Sequence, residues 1–221
     1  MNRLALFDCD GTLVDSQFSI VASMQLAFER NGLAPPSPES VRKIVGLHLG
    51  EAIGRLIGEP DAPAIRYLVE SYREAFSDMH RDPALQEALF EGIPSALDRF
   101  ESAGWLLGIA TGKGRRGLDR VLGRSGLDGR FVTLKTADDG PGKPDPAIVR
   151  AALAEAGADA GSCVVIGDTS YDMVMAERAG TASIGVSWGY HPVAELTRSG
   201  ARHIAYSADE LPDLAERALG G

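Results

Sequence analysis

The feature that most constrains this chain is a series of short apolar runs, each stopped by polar or glycine residues and followed by helical spacing. Leu4-Ala5-Leu6-Phe7 stops at Asp8, and Leu106-Leu107-Gly108-Ile109-Ala110 stops at Thr111. Val132-Thr133-Leu134 ends near Lys135, Val164-Val165-Ile166 at Gly167-Asp168, and Ser183-Ile184-Gly185-Val186 at Ser187. Runs that are apolar on both faces suit strands of a parallel sheet covered by helices on each side. Between them, Leu118, Val121 and Leu122 share one helical face, as do Ile148, Ala152 and Ala156. Gly104, Gly157 and Gly180 stand where helix C-caps belong, and Ser207 followed by Glu210 reads as a capping box. The alternation predicts an α/β fold with a doubly wound, Rossmann-like parallel sheet.

One stretch breaks the pattern. From about Ser16 to about Phe90 there are helix signals and no convincing strand. Phe18, Val21, Met24 and Phe28 recur near helical spacing, with Gly32 as the stop. Ser37-Pro38 reads as an N-cap with proline at the first helical position, opening a segment that runs to Gly46. After a candidate cap at Asp61, a stripe follows through Ile65, Leu68, Val69, Tyr72, Phe76 and Met79. A helical insert directly after the first strand predicts two domains, an α/β core from 1–15 and 91–221 and a helical unit from 16–90.

Composition bounds the function. The 22 basic and 31 acidic residues leave a net charge of −9, which argues against nonspecific binding to nucleic acid or to an anionic membrane. Two cysteines, Cys9 and Cys163, cannot build a disulfide framework and fit a reducing cytoplasm. No apolar run approaches the roughly 18 residues of a membrane span, and the segment before Asp8 is too short for a signal peptide's apolar region. A cytoplasmic protein is expected.

Ligands of open α/β sheets bind just outside the carboxyl ends of the strands. The residues that end the strands are Asp8 and Asp10, then Thr111, then Asp168, with Lys143 and Asp172 shortly beyond. Several aspartates at close quarters repel unless a cation sits between them, and an all-oxygen donor set suits Mg²⁺.

These residues resemble the haloacid dehalogenase-like hydrolases. The match is Asp8-Cys9-Asp10-Gly11-Thr12, Thr111, Lys143-Pro144, and Gly167-Asp168-Thr169-Ser170-Tyr171-Asp172, in order and each after an apolar run. The resemblance covers essentially the whole chain and implies that the insert is the family's helical cap. It also implies roles. Asp8 would be the nucleophile that forms an aspartyl-phosphate, and Asp10 the acid that protonates the leaving alkoxide and later activates water. Asp8, Asp168 and the Asp10 backbone carbonyl would hold Mg²⁺. Thr111, Gly112 and Lys143 would bind the phosphoryl oxygens, with Asp172 orienting either Lys143 or a metal-bound water.

The chain departs from the pattern at Gly112, where many relatives place Asn after the threonine. Lys113 or Arg115 could supply the missing contact to an anionic substrate, the alternative being a solvated helix start. His48, in the turn where relatives read substrate, is a further candidate contact beside its plain reading as a solvated loop histidine. His80, His191 and His203 have no zinc-site spacing. Cys9 is expected to point into the core.

Asp10 disfavours a dehalogenase, which needs no proton donor. The insert's one lysine, Lys43, stands too early for a phosphonate-cleaving Schiff base, and Ile20 falls where mutases usually carry His. Ser187-Trp188-Gly189-Tyr190 is similar to a segment of phosphoglycolate phosphatase-like members. The resemblance thus implies a Mg²⁺-dependent phosphatase of a small phosphorylated metabolite, phosphoglycolate among the candidates; monomer and homodimer both stay open. The alternatives are an inorganic pyrophosphatase or sugar-phosphate mutase on the same scaffold, or a phospho-receiver or ligand-binding regulatory module; a receiver has no use for a positioned acid.

Overall fold

The computed structural model describes residues 2–58, 62–81 and 87–220. Six parallel strands form the main sheet: β1 (Leu4–Phe7), β4 (Leu106–Ala110), β5 (Thr133–Lys135), β6 (Cys163–Gly167), β7 (Ala182–Val186) and β8 (His203–Ala205), in the order β5-β4-β1-β6-β7-β8. The chain fills one side of β1 first and then returns to fill the other. That reversal makes the switch-point crevice in which ligands of such sheets sit.

Strand alternation explains why the apolar runs look apolar throughout. Ala5, Phe7, Val164 and Ile166 join Ile93, Leu97, Phe100, Leu118 and Leu211 in one buried cluster. Leu4, Leu6, Cys163 and Val165 join Ile148, Ala152 and Met175 in another, on the opposite face. The first layer is built by α5 (Ile93–Ser102), α6 (Arg115–Ser125) and α10 (Leu211–Gly220), the second by α7 (Ala147–Ala156) and α8 (Ser170–Ala179). A short helix, α9 (Val193–Arg198), packs against β7 and β8.

Between β1 and α5 the chain makes a helical insertion: α1 (Gln17–Arg30), α2 (Pro38–Arg42), α3 (Leu49–Ile57) and α4 (Ala62–Met79). Ile20, Met24, Phe28, Val41, Ile53 and Leu68 give it a small core of its own. It leaves and returns through a two-stranded antiparallel ribbon, β2 (Val14–Asp15) and β3 (Ala88–Leu89).

Several local expectations need correction. The strand β3 lies inside the stretch expected to hold none, and β8 carried no legible signal. The α1 stripe is Ile20, Met24, Ala27 and Phe28, while Phe18 is 66% exposed. Ser37 does cap α2, accepting from Ser40 N, but the helix stops at Arg42 rather than at Gly46. Ser207 makes no capping bond; Glu210 Oε2 instead accepts from Tyr206 N at 2.7 Å. The candidate cap Asp61 lies outside the described residues. No described helix is long and apolar enough to cross a membrane.

Candidate active site

The carboxyl ends of three adjacent strands set the floor of the site. Asp8 follows β1, Thr111 follows β4 and Asp168 follows β6, so neighbouring strands in parallel register bring residues far apart in sequence together. Lys143, from the loop between β5 and α7, is fully buried. Its ammonium lies 2.9 Å from Asp8 Oδ1 and donates to Asp172 Oδ1 at 2.6 Å. The other Asp172 oxygen accepts from Thr169 N at 3.1 Å and from Thr169 Oγ1 at 2.6 Å, the capping box that opens α8. Of the two roles open for Asp172, contact with Lys143 is therefore directly visible.

Asp8, Asp168 and Asp172 are all buried, with carboxylate oxygens within 4.8 Å of one another; no other such trio exists among the described residues. Burial pushes the Asp8 pKa from 3.8 up to about 6, opposed by Lys143 and reinforced by Asp172 and Asp10. Burial, with Asp8 and Asp172 adding repulsion, also drives Asp168 well above the usual carboxylate range. It does so despite two donors, Thr12 Oγ1 at 2.9 Å and Tyr190 N at 2.9 Å. Among the described residues, Asp8 Oδ1 has no aligned donor. One lysine cannot balance three carboxylates, so the donor set fits a hard divalent cation of the Mg²⁺ type.

The Asp10 carboxylate is turned away from this trio. Its Oδ1 accepts from Ser16 Oγ at 2.6 Å and lies 2.9 Å from Lys113 Nζ. Asp10 thus contributes no side-chain oxygen to the acidic cluster; its backbone carbonyl is the atom the resemblance places at the metal.

Asp8, Asp10, Thr111 and Gly112 open into a cavity of about 440 Å³ between the sheet edge and the insertion. Its far wall is apolar, from Ile20, Met24, Leu49, Tyr72 and Phe76. His48 lines it while capping α3, its Nδ1 accepting from Gly50 N at 3.3 Å. Lys143 lies beneath the floor, reaching the cavity only through Asp8.

Two glycines mark close approach. A Cβ at Gly112 would stand 2.7 Å from the Gly46 carbonyl oxygen of the insertion, so the asparagine of many relatives has no room here. A Cβ at Gly189 would fall 2.1 Å from Asp168 Cβ. The Ser187–Tyr190 segment therefore buttresses Asp168, and Trp188 Nε1 ties it to the Thr12 carbonyl at 3.2 Å.

Arg115 requires correction as a candidate substrate contact. Its guanidinium pairs with Asp119 at 2.8 Å on the outer face of α6, and it does not line the cavity. Arg116 and Arg120, one turn apart on that helix, line it together with Arg73 of α4. Lys113, the other candidate, is not a solvated helix start; it is buried beside Asp10. Ser16 touches Asp10, Tyr190 reaches it through Ser16 and Glu87 through Lys113, and nothing local in the sequence marked them. Tyr190 OH lies 3.0 Å from Ser16 Oγ. Cys9 is buried in the core cluster as expected.

Comparison with known proteins assigns this fold to a family. The model of the haloacid dehalogenase-like hydrolase family matches residues 5–186, and the chain belongs to that family. It is 31% identical to an N-acetylmuramic acid 6-phosphate phosphatase of Pseudomonas aeruginosa over 98% of this chain and 96% of that protein. It is 30% identical to a phosphoglycolate phosphatase of Cereibacter sphaeroides over 97% and 98% of the two chains. The crystal structure of a hydrolase from Pseudomonas syringae superposes with a TM-score of 0.86 at 28% identity, covering 99% and 100% of the chains. Within the family, the protein is a phosphatase.

Proposed function

We propose that the protein hydrolyses a small phosphomonoester with Mg²⁺, through a phosphoryl group carried briefly on Asp8. The observation that carries this reading is the buried Asp8 carboxylate, facing a cavity, with one ammonium at 2.9 Å and two further carboxylates gathered around it. Asp8 and Asp168, with the Asp10 carbonyl, are the groups that would hold Mg²⁺, and the ion would shield the nucleophile from the phosphate's charge when bound.

The chain's own groups account for the rest. An Asp8 oxygen attacks phosphorus and the bond to the ester oxygen breaks; Asp10 gives the departing alkoxide a proton. Asp10 then takes a proton from the water that attacks the acyl phosphate, releasing inorganic phosphate and restoring both carboxyl groups. Thr111 Oγ1 and the Gly112 backbone N–H, both lining the cavity, would hold phosphoryl oxygens. Lys143 balances charge on Asp8, and Asp172 orients it. The 16–90 insertion acts as a cap whose Gly46-Leu47-His48 turn covers the floor and excludes water.

The cavity falls within the range that holds drug-sized ligands, roughly 300–1,000 Å³. Esters larger than phosphoglycolate therefore belong beside it in a substrate panel. Buried free thiols at Cys9 and Cys163 agree with action in the cytoplasm.

Chelation with EDTA should abolish hydrolysis of p-nitrophenyl phosphate and Mg²⁺ should restore it. Fluoroberyllate with Mg²⁺ should raise the melting temperature of the wild type and leave Asp8→Asn unmoved. Metal-independent turnover, or equal stabilisation of both proteins, would contradict the proposal.

A further inference from the structure

Lys113, Glu87 and His80 form a buried cluster beside Asp10 that has no part in the chemistry above. Lys113 reaches from the loop after β4 to 2.9 Å from Asp10 Oδ1 and 3.8 Å from Glu87 Oε2, with its side chain 6% exposed. Its Nζ lies over the Phe76 ring, 4.8 Å from the centroid. The Glu87 side chain is itself buried, and among the described residues neither of its oxygens has an aligned hydrogen-bond donor. His80, just past the end of α4, places Nε2 3.1 Å from Glu87 Oε1, while its Nδ1–H donates to the Phe76 carbonyl at 2.7 Å. Arg124 of α6 holds the His80 carbonyl at 3.0 Å.

The order Asp10, Lys113, Glu87, His80 runs from the core loops to the last helix of the insertion, and Glu87 immediately precedes β3 of the connecting ribbon. A buried carboxylate without aligned donors requires a cation nearby, and among the described residues Lys113 is the lysine that reaches it. Lys113 is thus pinned between two acids and cannot swing freely around Asp10. Both contacts to the Asp10 carboxylate, from Ser16 and Lys113, fall on Oδ1, which leaves Oδ2 for the leaving-group oxygen. Phe76, His80 and Glu87 all belong to the insertion or its return segment, so their position relative to Lys113 depends on how the insertion rests on the core.

We infer that Lys113 and Glu87 are positioning residues that aim Asp10 for proton transfer when the helical insertion is in place. This rests on the acid role given to Asp10 above. It assigns Glu87 a purpose through its 3.8 Å approach to Lys113.

The test is rapid-quench measurement of phosphoryl transfer to the enzyme from two esters, with Mg²⁺ present. Nitrophenolate leaves without a proton, whereas an alkoxide needs one. Positioned general acids contribute about 10²–10⁴-fold, so Glu87→Gln and Lys113→Met should slow transfer from an alkyl phosphate by at least about tenfold and from p-nitrophenyl phosphate by less than about twofold. Binding of inorganic phosphate should be unchanged. Glu87→Gln keeps shape while removing charge, and it carries the test if Lys113→Met does not fold. Equal slowing of both esters, or of neither, in Glu87→Gln while Asp10→Asn is selective would overturn the positioning role alone. Loss of selectivity in Asp10→Asn as well would overturn the acid role and this inference with it.

Discussion

Replacing Asp8 by asparagine should make the metal-free protein more stable while removing its activity. Asp8 is 2% exposed, and burial raises its pKa from 3.8 to about 6 even with Lys143 pulling the other way. A carboxyl with a raised folded-state pKa binds its proton more tightly when folded, so ionisation costs stability. The cost is absent below the unfolded pKa, grows between 3.8 and about 6, and is complete above that. At about 1.4 kcal/mol for each tenfold change in proton affinity, it reaches about 3 kcal/mol at neutral pH. The attraction of Lys143 is already contained in that figure, and the variant leaves Lys143 its Asp172 partner at 2.6 Å. No buried charge is orphaned, which is what decides the sign. For a chain of this size about 3 kcal/mol corresponds to roughly 6–12 °C in melting temperature. Thermal unfolding in EDTA at pH 8 should show that gain, and at pH 5 the gap should narrow to about half because the folded wild type is by then largely protonated at Asp8. Adding Mg²⁺ should lift the wild type more than the variant. An Asp8→Asn protein no more stable than wild type in EDTA at pH 8, or a gap indifferent to pH, would refute the reasoning.

Lys143→Met breaks the same 2.9 Å contact with the opposite outcome, since three buried carboxylates then share no cation. Urea unfolding in EDTA should show a loss of about 3–5 kcal/mol, partly recovered by Mg²⁺; a wild-type midpoint would contradict the charge argument. Gly189→Ala drives a methyl group into Asp168, and overpacking of this kind costs about 1–3 kcal/mol. Calorimetry should find Mg²⁺ binding weakened alongside the lower melting temperature, whereas intact binding would mean that Asp168 is not braced by this segment. Arg116→Ala should raise KM with kcat preserved, as expected for a group that binds ground and transition states alike. Arg115→Ala should leave both constants unmoved; the reverse pattern would restore Arg115 to the site.

The sheet was legible because its evidence is local. Strand faces alternate with a period of two, so Leu4 and Leu6 against Ala5 and Phe7 announce a strand covered on both sides before any partner is known. The same logic fixes where the strand stops, and with it Asp8, Thr111 and Asp168. Two-residue strands such as β2 and β3 are too short to display a period, and β8 offers three residues at the sheet edge. In α1 the stripe was shifted because Phe18 fits a helical spacing as well as Ile20 does; only the packed insertion leaves Phe18 in solvent.

The chain's order of apolar runs and polar stops determined the fold class, the presence of the helical insertion and the identity of the residues at the strand ends. Tertiary structure decided which of them meet. Lys113, Arg115 and Arg116 stand almost side by side in sequence, yet one is buried against Asp10 and Glu87, one pairs outward with Asp119, and one lines the cavity. Periodicity is a property of neighbours a few bonds apart and survives in one dimension. The partner of a buried charge is fixed by three-dimensional packing of segments tens of residues distant, where desolvation penalises every arrangement but a paired one.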